Sequence, residues 1–177
     1  MPSERPTLQP MIEFHDLADV SAEQTIAWLE DICADLRPGD WDEMKATNPM
    51  LKIGDPDPLH LLTVSVMQSV DGWIITDNGK AICVYGAADG GIVWMIGANG
   101  MERPRAKLAI GRATPNFVER WHLYWPHLSN YIDARNVQSI NWLLWAGFEI
   151  EQVDLTHGRE RRPFYLMSHT REGPTHL

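Results

Sequence analysis

The stretch from residue 97 to residue 106 has the residue types of an anion-binding loop. It follows an apolar run and precedes a short segment with helical spacing. Backbone N–H groups at a glycine-rich turn that leads into a helix can hold a phosphate, because the helix N-terminus favours negative charge. Glu102 and Pro104 oppose this chemistry, since one adds a like charge and the other removes a donor. The candidate contacts for an anion are Gly97, Gly100, Arg103 and Arg105.

Several side chains could accept a proton, and each has a simpler structural interpretation. The candidates are Asp133, His122, His127, Glu149 and Glu151. A histidine suits general-base chemistry at neutral pH. However, both histidines flank an aromatic run that is typical of packing, and the two glutamates alternate on a predicted strand, which favours a solvent-facing position. We therefore assign no catalytic residue from the sequence.

The sequence contains none of the motifs that are typical of several other enzyme classes. It has no Gly-x-Ser-x-Gly elbow, no His-Glu-x-x-His helix and no Walker loop. The two cysteines, Cys33 and Cys83, each lie in an apolar stretch, so we predict small buried hydrophobic residues and no metal site.

A three-strand meander is the element that must position the loop. Residues 72–76 and 81–86 alternate like strands around Asn78-Gly79, which supplies the positive φ angles of a hairpin turn. Residues 92–96 are apolar almost throughout, which predicts a central strand buried on both faces.

Helical spacing and capping residues predict the remaining elements. Ser21 caps a helix that ends before Pro38, Asp40 is available as the cap of a second short helix, and Asn136 caps a helix that Gly147 terminates. Further predicted elements are strands at 12–15, 131–134, 148–155 and 163–169, and helices at 40–46, 59–70, 106–110 and from Thr114-Pro115 onward. Residues 62–66 also alternate like a strand, so the segment at 59–70 fits either element. The inner face of the Asn136 helix is predicted as Val137, Ile140, Leu143 and Leu144.

Composition and order together predict one α+β domain, a central mixed sheet with an antiparallel meander and flanking helices. We place an extended arm at 1–11, the domain at 12–169 and a tail at 170–177. A net charge of −9 argues against nucleic acid as the main partner. The chain shows neither a signal-peptide pattern nor an apolar run long enough to span a membrane, so we expect no stable membrane anchoring.

The order of elements resembles the GNAT acyltransferase fold, and more narrowly the podophage family labelled internal virion protein A. The resemblance runs from about residue 36 to residue 150. The segments that carry it are Arg37-Pro38-x-Asp40, Ser69-x-x-Gly72-Trp73, the Gly79–Gly86 strand, Trp94–Gly97 and Tyr131-x-Asp133-Ala134-Arg135-Asn136 to Gly147-Phe148.

The GNAT resemblance implies a site for acetyl-CoA, from which this chain departs in two places. The glycines of the loop do not have the family's [Gln/Arg]-x-x-Gly-x-[Gly/Ala] spacing. In the pattern Asn-x-x-Ala-x-x-x-Tyr-x-x-x-Gly-Phe, the tyrosine that protonates the leaving thiolate is Leu143 here, which has no proton to give. If acetyl-CoA binds, its contacts are Gly97, Gly100, Arg103, Arg105 and Asn136, although we interpret Asn136 first as a helix cap.

We therefore favour a catalytically degenerate GNAT-fold protein, with no cofactor, that acts through protein–protein contacts in a phage particle. The podophage resemblance implies other virion proteins as partners and the virion, after synthesis in the host cytoplasm, as the location. Trp142 and Trp145 are the candidate contacts, because tryptophan is enriched where interfaces bind most strongly. The alternative is an active acetyl-CoA-dependent N-acetyltransferase that acts on a small amine or a host protein.

Overall fold

The computed structural model describes residues 11–48 and 57–171. The strands in these ranges are β1 (Ile12–Asp16), β2 (Ser69–Asp77), β3 (Lys80–Ala88), β4 (Ile92–Gly97), β5 (His127–Asp133), β6 (Glu149–His157) and β7 (Arg162–Thr170). The α-helices are α1 (Ala22–Cys33), α2 (Pro38–Thr47), α3 (Pro58–Gln68), α4 (Pro104–Trp121) and α5 (Val137–Trp145). Two short 3₁₀ helices cover Leu17–Asp19 and Asn99–Glu102.

The strands form a single mixed sheet in the order β1-β2-β3-β4-β5-β7-β6. All neighbours are antiparallel except β4 and β5, which run parallel. The predicted meander is β2-β3-β4, and Asn78 and Gly79 both have positive φ in its first turn. The predicted α+β class, with a mixed sheet and flanking helices, is confirmed.

Alternating residues of the central strands build two cores, one on each face of the sheet. Ile74 and Val84 pack with α1 and α3, whereas their neighbours Ile75 and Tyr85 pack with α4 and α5. Because side chains of a strand alternate between faces, each central strand contributes to both cores. Helices therefore cover both faces, α1–α3 on one and α4–α5 on the other.

Helix α4 is longer than the sequence predicts. Instead of a short helix at 106–110 and a second one capped by Thr114, one helix runs through Pro115 to Trp121. Thr114 is no cap: its hydroxyl donates to the Ile110 carbonyl at 2.7 Å. A continuous buried face holds the helix together through the proline; its members are Ala106, Ile110, Thr114, Val118 and Trp121.

Other predictions needed smaller corrections. Helix α2 starts at Pro38, so Asp40 lies inside it and is buried, instead of capping it. Val137 and Leu144 of α5 are exposed, because the helix buries Ile140 and Leu143 alone. Strand β5 starts four residues earlier than predicted, at His127. Strand β4 is central but only partly buried at residues 94–96, because space opens beside it.

The predicted arm at 1–11 and tail at 170–177 fall almost wholly outside the described residues. The domain boundaries therefore stay predictions. Among the residues that are described, none of the helices has the length and apolar character needed to cross a membrane.

Candidate functional site

Strands β4 and β5 diverge soon after they meet. Ile92 and Ser129 are their one pair in the parallel ladder, reinforced by a hydrogen bond of 3.0 Å from Ser129 N to Gly91 O. Parallel neighbours normally continue an evenly spaced ladder. Here the ladder stops, so the second halves of the two strands border a gap in the sheet.

Three cavities lie in line across this gap. An inner cavity of about 70 Å³ lies under α4 and α5. It shares Met95, Ile110 and Trp142 with a cleft of about 720 Å³ between those helices, called the α4–α5 cleft below. On the other face it shares Glu43 and Trp94 with a cleft of about 370 Å³ beside α2 and α3, the α2–α3 cleft. The inner cavity therefore shares wall residues with a cleft on each face of the sheet.

Glu43 of α2 lies where the inner cavity meets the α2–α3 cleft. Its Oε2 accepts hydrogen bonds from Asp133 N at 3.0 Å and from Asn136 Nδ2 at 3.1 Å. Burial raises the pKa of this carboxyl to about 7, although the two hydrogen bonds act in the opposite direction. Both bonds reach the same oxygen, so Oε1 remains to accept a proton near neutral pH.

A buried ionic cluster occupies the end of β4. Arg37 binds Asp40 through Nε and Nη2 at 2.8 and 3.0 Å, and its Nη1 reaches Glu102 at 2.8 Å. Asp40 also accepts a bond of 2.8 Å from Gly97 N. Arg37 is 4% exposed and Asp40 is 1% exposed, so Asp40 depends on Arg37 for charge compensation, and Arg37 depends on Asp40 and Glu102.

Most amides of the predicted anion-binding loop donate within the protein. Ala98 N donates to Ile82 O, Asn99 N to Asp35 O, and Met101 N to Ala98 O. Gly97 and Gly100 instead permit close packing, since an added Cβ would crowd Met101 and Ile82. The loop therefore offers few free donors to a pyrophosphate in this conformation.

The two arginines of the loop face Asp77 at the end of β2. Arg105 binds this carboxylate closely, and Arg103 Nη1 lies 3.4 Å from it. The charges that line the α4–α5 cleft are instead Arg37, Glu102, Lys107 and Arg112. Burial alone would raise the pKa of Glu102, but hydrogen bonds from Lys107 and Arg37 lower it, so this carboxylate is charged beside the cleft.

Asn136 joins the end of β5 to helix α2. Its side-chain oxygen accepts from Ser139 N at 3.4 Å, which confirms the predicted helix cap. Its Nδ2 donates to Asp40 at 3.1 Å as well as to Glu43. A role of Asn136 in binding acetyl-CoA stays a prediction, as does that of the four loop residues.

The predicted acid–base candidates lie apart from the gap or are already paired. Glu149 and Glu151 are exposed on the edge strand β6. His122 Nε2 lies 2.7 Å from His169 Nδ1, and His122 Nδ1 lies 2.9 Å from Trp125 O. Burial would raise the pKa of Asp133, but the hydrogen bonds from Arg135 lower it, so it is a poor base.

Two buried donors in the wall of the inner cavity have no partner among the described residues. They are the hydroxyl of Tyr85 and Nε1 of Trp142. Leu143 lines the same cavity and is buried, so no hydroxyl stands at this position of α5. Trp142 is turned inward, whereas Trp145 is 62% exposed, and a partner contact through either residue stays a prediction.

Sequence reasoning missed Glu43, Tyr85 and the inward position of Trp142. Glu43 follows Asp40 by three residues, which places both on one side of α2, and this spacing was the available signal. Tyr85 gave no signal, because an aromatic residue on a central strand is ordinary core.

Neither a protein-family model nor a curated protein matches the chain. Solved structures do match its fold. The ribosomal-protein-S18-alanine N-acetyltransferase of Escherichia coli has a TM-score of 0.58 at 11% identity, over 94% of this chain and 99% of that one. Ard1 of Thermoplasma volcanium gives 0.61 at 10% identity, over 92% and 99%. An acetyltransferase of the GNAT family from Streptococcus pneumoniae gives 0.55 at 15% identity, over 93% and 100%. At these identities the likeness concerns the fold, and the chain has the GNAT acetyltransferase-like fold.

Proposed function

We propose that this protein is an N-acetyltransferase that moves an acyl group from a CoA thioester to an amine. The observation that carries the proposal is the position of Glu43 at the gap between β4 and β5. A carboxyl whose pKa lies at about 7 is suited to removing a proton at neutral pH. The acetyltransferases with the same fold support this assignment by analogy.

The two clefts suit the two substrates. The α4–α5 cleft is lined by apolar side chains such as Met95, Pro115 and Trp145, which fits the narrow arm of a CoA thioester. Its rim carries Lys107 and Arg112, which fit phosphate groups, although Glu102 opposes them. The usual cradle of loop amides does not fit, since those amides donate elsewhere. Any phosphate contact therefore falls to side chains.

The amine reaches the gap from the α2–α3 cleft, where Glu43 Oε1 takes its proton as the nitrogen attacks the thioester carbonyl carbon. The C–N bond forms, the tetrahedral intermediate collapses, and the C–S bond breaks. With Leu143 at the acid position, the leaving thiolate takes its proton from water in the α4–α5 cleft. Burial of Glu43 among apolar walls strengthens its basicity relative to a solvated carboxylate.

Calorimetric titration with acetyl-CoA, followed by a thiol-release assay, tests the proposal. The acceptors are a polyamine and a peptide with a free N-terminal alanine, the latter because the E. coli protein of this fold is an alanine N-acetyltransferase. We expect Glu43→Gln to bind acetyl-CoA normally and to lose roughly 10²–10⁴-fold in transfer rate. The absence of binding at millimolar acetyl-CoA, with an unchanged Tm, would refute the proposal.

One observation favours a second function. The engaged amides of residues 98, 99 and 101, together with Leu143, describe a GNAT fold whose usual cofactor contacts are lost. On this alternative the protein belongs to a phage particle, is made in the host cytoplasm, and binds another virion protein through the exposed Trp145. Its support is the sequence resemblance to podophage internal virion proteins. Purified particles that lack the protein would exclude this alternative.

A further inference from the structure

The inner cavity is larger than an acetyl group requires. Its volume of about 70 Å³ corresponds to roughly five water-sized positions. The walls are mostly apolar and come chiefly from α4, α5 and the five strands β1–β5. The described residues that line the inner cavity but neither of the two clefts include Phe14, Ile75, Tyr85, Phe117, Val118 and Trp121.

Both residues that carry an unpartnered buried donor, Tyr85 and Trp142, line this cavity. Tyr85 is 3% exposed, and its hydroxyl finds no acceptor within the described residues. Its ring is fixed edge-on against Phe117, with ring centroids 4.7 Å apart, so the hydroxyl cannot swing out to solvent. Burying a donor without a partner costs free energy that a bound acceptor would recover.

Neither donor ionises at physiological pH. Burial is the main reason that the pKa of Tyr85 is raised above its ordinary value, and the indole of Trp142 is a donor only. Two neutral donors in an apolar wall suit a neutral ligand with an oxygen acceptor. They do not suit a carboxylate or phosphate, which would be desolvated there without a counter-ion.

We propose that the inner cavity is an acyl-chain site, and that the acyl group transferred by this protein is longer than acetyl, with Tyr85 as a specificity-determining residue. This inference rests on the proposed function. The thioester enters beside Trp142, which lines both the α4–α5 cleft and the inner cavity, and its chain extends under α4. The thioester oxygen accepts from one or both of the buried donors.

The test uses acetyl, butyryl and hexanoyl thioesters of N-acetylcysteamine. These probes carry the acyl group and the end of the CoA arm without phosphates, so a weak phosphate site cannot mask the result. We expect affinity to rise roughly fourfold per methylene group, as for transfer into an apolar site. Equal affinities across the series, or tightest binding of acetyl, would overturn the acyl-chain site. Such a result would leave the proposed transferase standing if acetyl-CoA still binds and reacts.

Two variants probe the wall of the cavity. Ala113 of α4 lines the inner cavity, so the larger side chain of Ala113→Leu should fill part of it. We expect this variant to lose the preference for the hexanoyl over the acetyl thioester. Ala109→Leu is its matched control, on the same helix and absent from the cavity lining, and should keep the preference. A preference that survives in Ala113→Leu counts against the site.

Tyr85→Phe removes the hydroxyl and keeps the ring. We expect the unliganded variant to melt no lower than wild type, because a buried unsatisfied group is lost, and hexanoyl binding to fall roughly three- to tenfold. If its Tm falls and binding is unchanged, the hydroxyl is satisfied by water and the cavity is filled by water only. That outcome overturns the proposal without requiring any variant to be inactive.

Discussion

Replacing Glu43 by glutamine should change the pH dependence of stability. The variant keeps an oxygen that can accept from Asp133 N and Asn136 Nδ2, but it cannot ionise. In wild type the pKa of Glu43 is raised from 4.5 to about 7, chiefly by burial. A raised pKa means that the folded state favours the neutral form. The stabilising contribution is therefore fully present below the ordinary value and is lost as the pH rises through about 7.

The magnitude follows from the size of the shift. Each pKa unit corresponds to about 1.4 kcal/mol, so ionising Glu43 in the folded protein costs roughly 3 kcal/mol in full. Between about pH 5 and about pH 8.5, wild type should lose roughly 2–3 kcal/mol of unfolding free energy relative to Glu43→Gln. The glutamine of the variant cannot ionise over this pH range, so the unfolding free energy of Glu43→Gln does not show this loss.

Urea denaturation, followed by tryptophan fluorescence at several pH values, measures the difference. The matched control is Glu23→Gln, at an exposed position in the first turn of α1. Its curve should run parallel to that of wild type. Parallel curves for wild type and Glu43→Gln would refute the reasoning, because they would mean that Glu43 ionises as it does in the unfolded chain.

Other predictions concern the buried pair, the histidine pair and the exposed indole. Asp40→Ala should lower the unfolding free energy by about 3–5 kcal/mol, because buried Arg37 keeps only the partly exposed Glu102 as counter-ion, and Gly97 N and Asn136 Nδ2 lose an acceptor; a loss no larger than the ~1 kcal/mol of an exposed pair would contradict this. Burial and the neighbouring His122 lower the pKa of His169, so its contribution is present above the ordinary histidine pKa and is lost as the pH falls through the lowered value. His169→Gln should flatten that acid-side loss in thermal melts at falling pH, and an unchanged slope would contradict it. Trp145→Ala should leave Tm nearly unchanged, since the side chain is 62% exposed, and should reduce incorporation into particles if the virion alternative holds.

Local signals predicted the elements well where one residue type determines the backbone. Asn78-Gly79 specified a two-residue hairpin turn, and Gly147 ends α5 with φ of +92°. The break predicted at Thr114-Pro115 was wrong, because five buried side chains along α4 outweigh the hydrogen bond that proline removes. Local propensity is a weak guide where tertiary packing competes with it.

The site was less accessible to sequence reasoning than the fold. The importance of Glu43 depends on β4 and β5 parting just beyond Ile92 and Ser129, which no local pattern encodes. The stretch at 97–106 suggested anion binding from its glycines and arginines, but Asp35 accepts from the Asn99 amide and Asp77 binds both arginines. Such competition appears only when the chain is folded.

Helix α2 takes the place of the missing ladder between β4 and β5. Asp40 accepts from Gly97 N at the end of β4, and Glu43 accepts from Asp133 N at the end of β5. The two carboxylates face the same way because they are three residues apart on a helix. Adding or deleting one residue between them would rotate Glu43 by about 100° away from the gap. The length of this short segment is therefore fixed by the sheet it bridges, and α2 should tolerate substitutions on its outer face far better than any change in residue number.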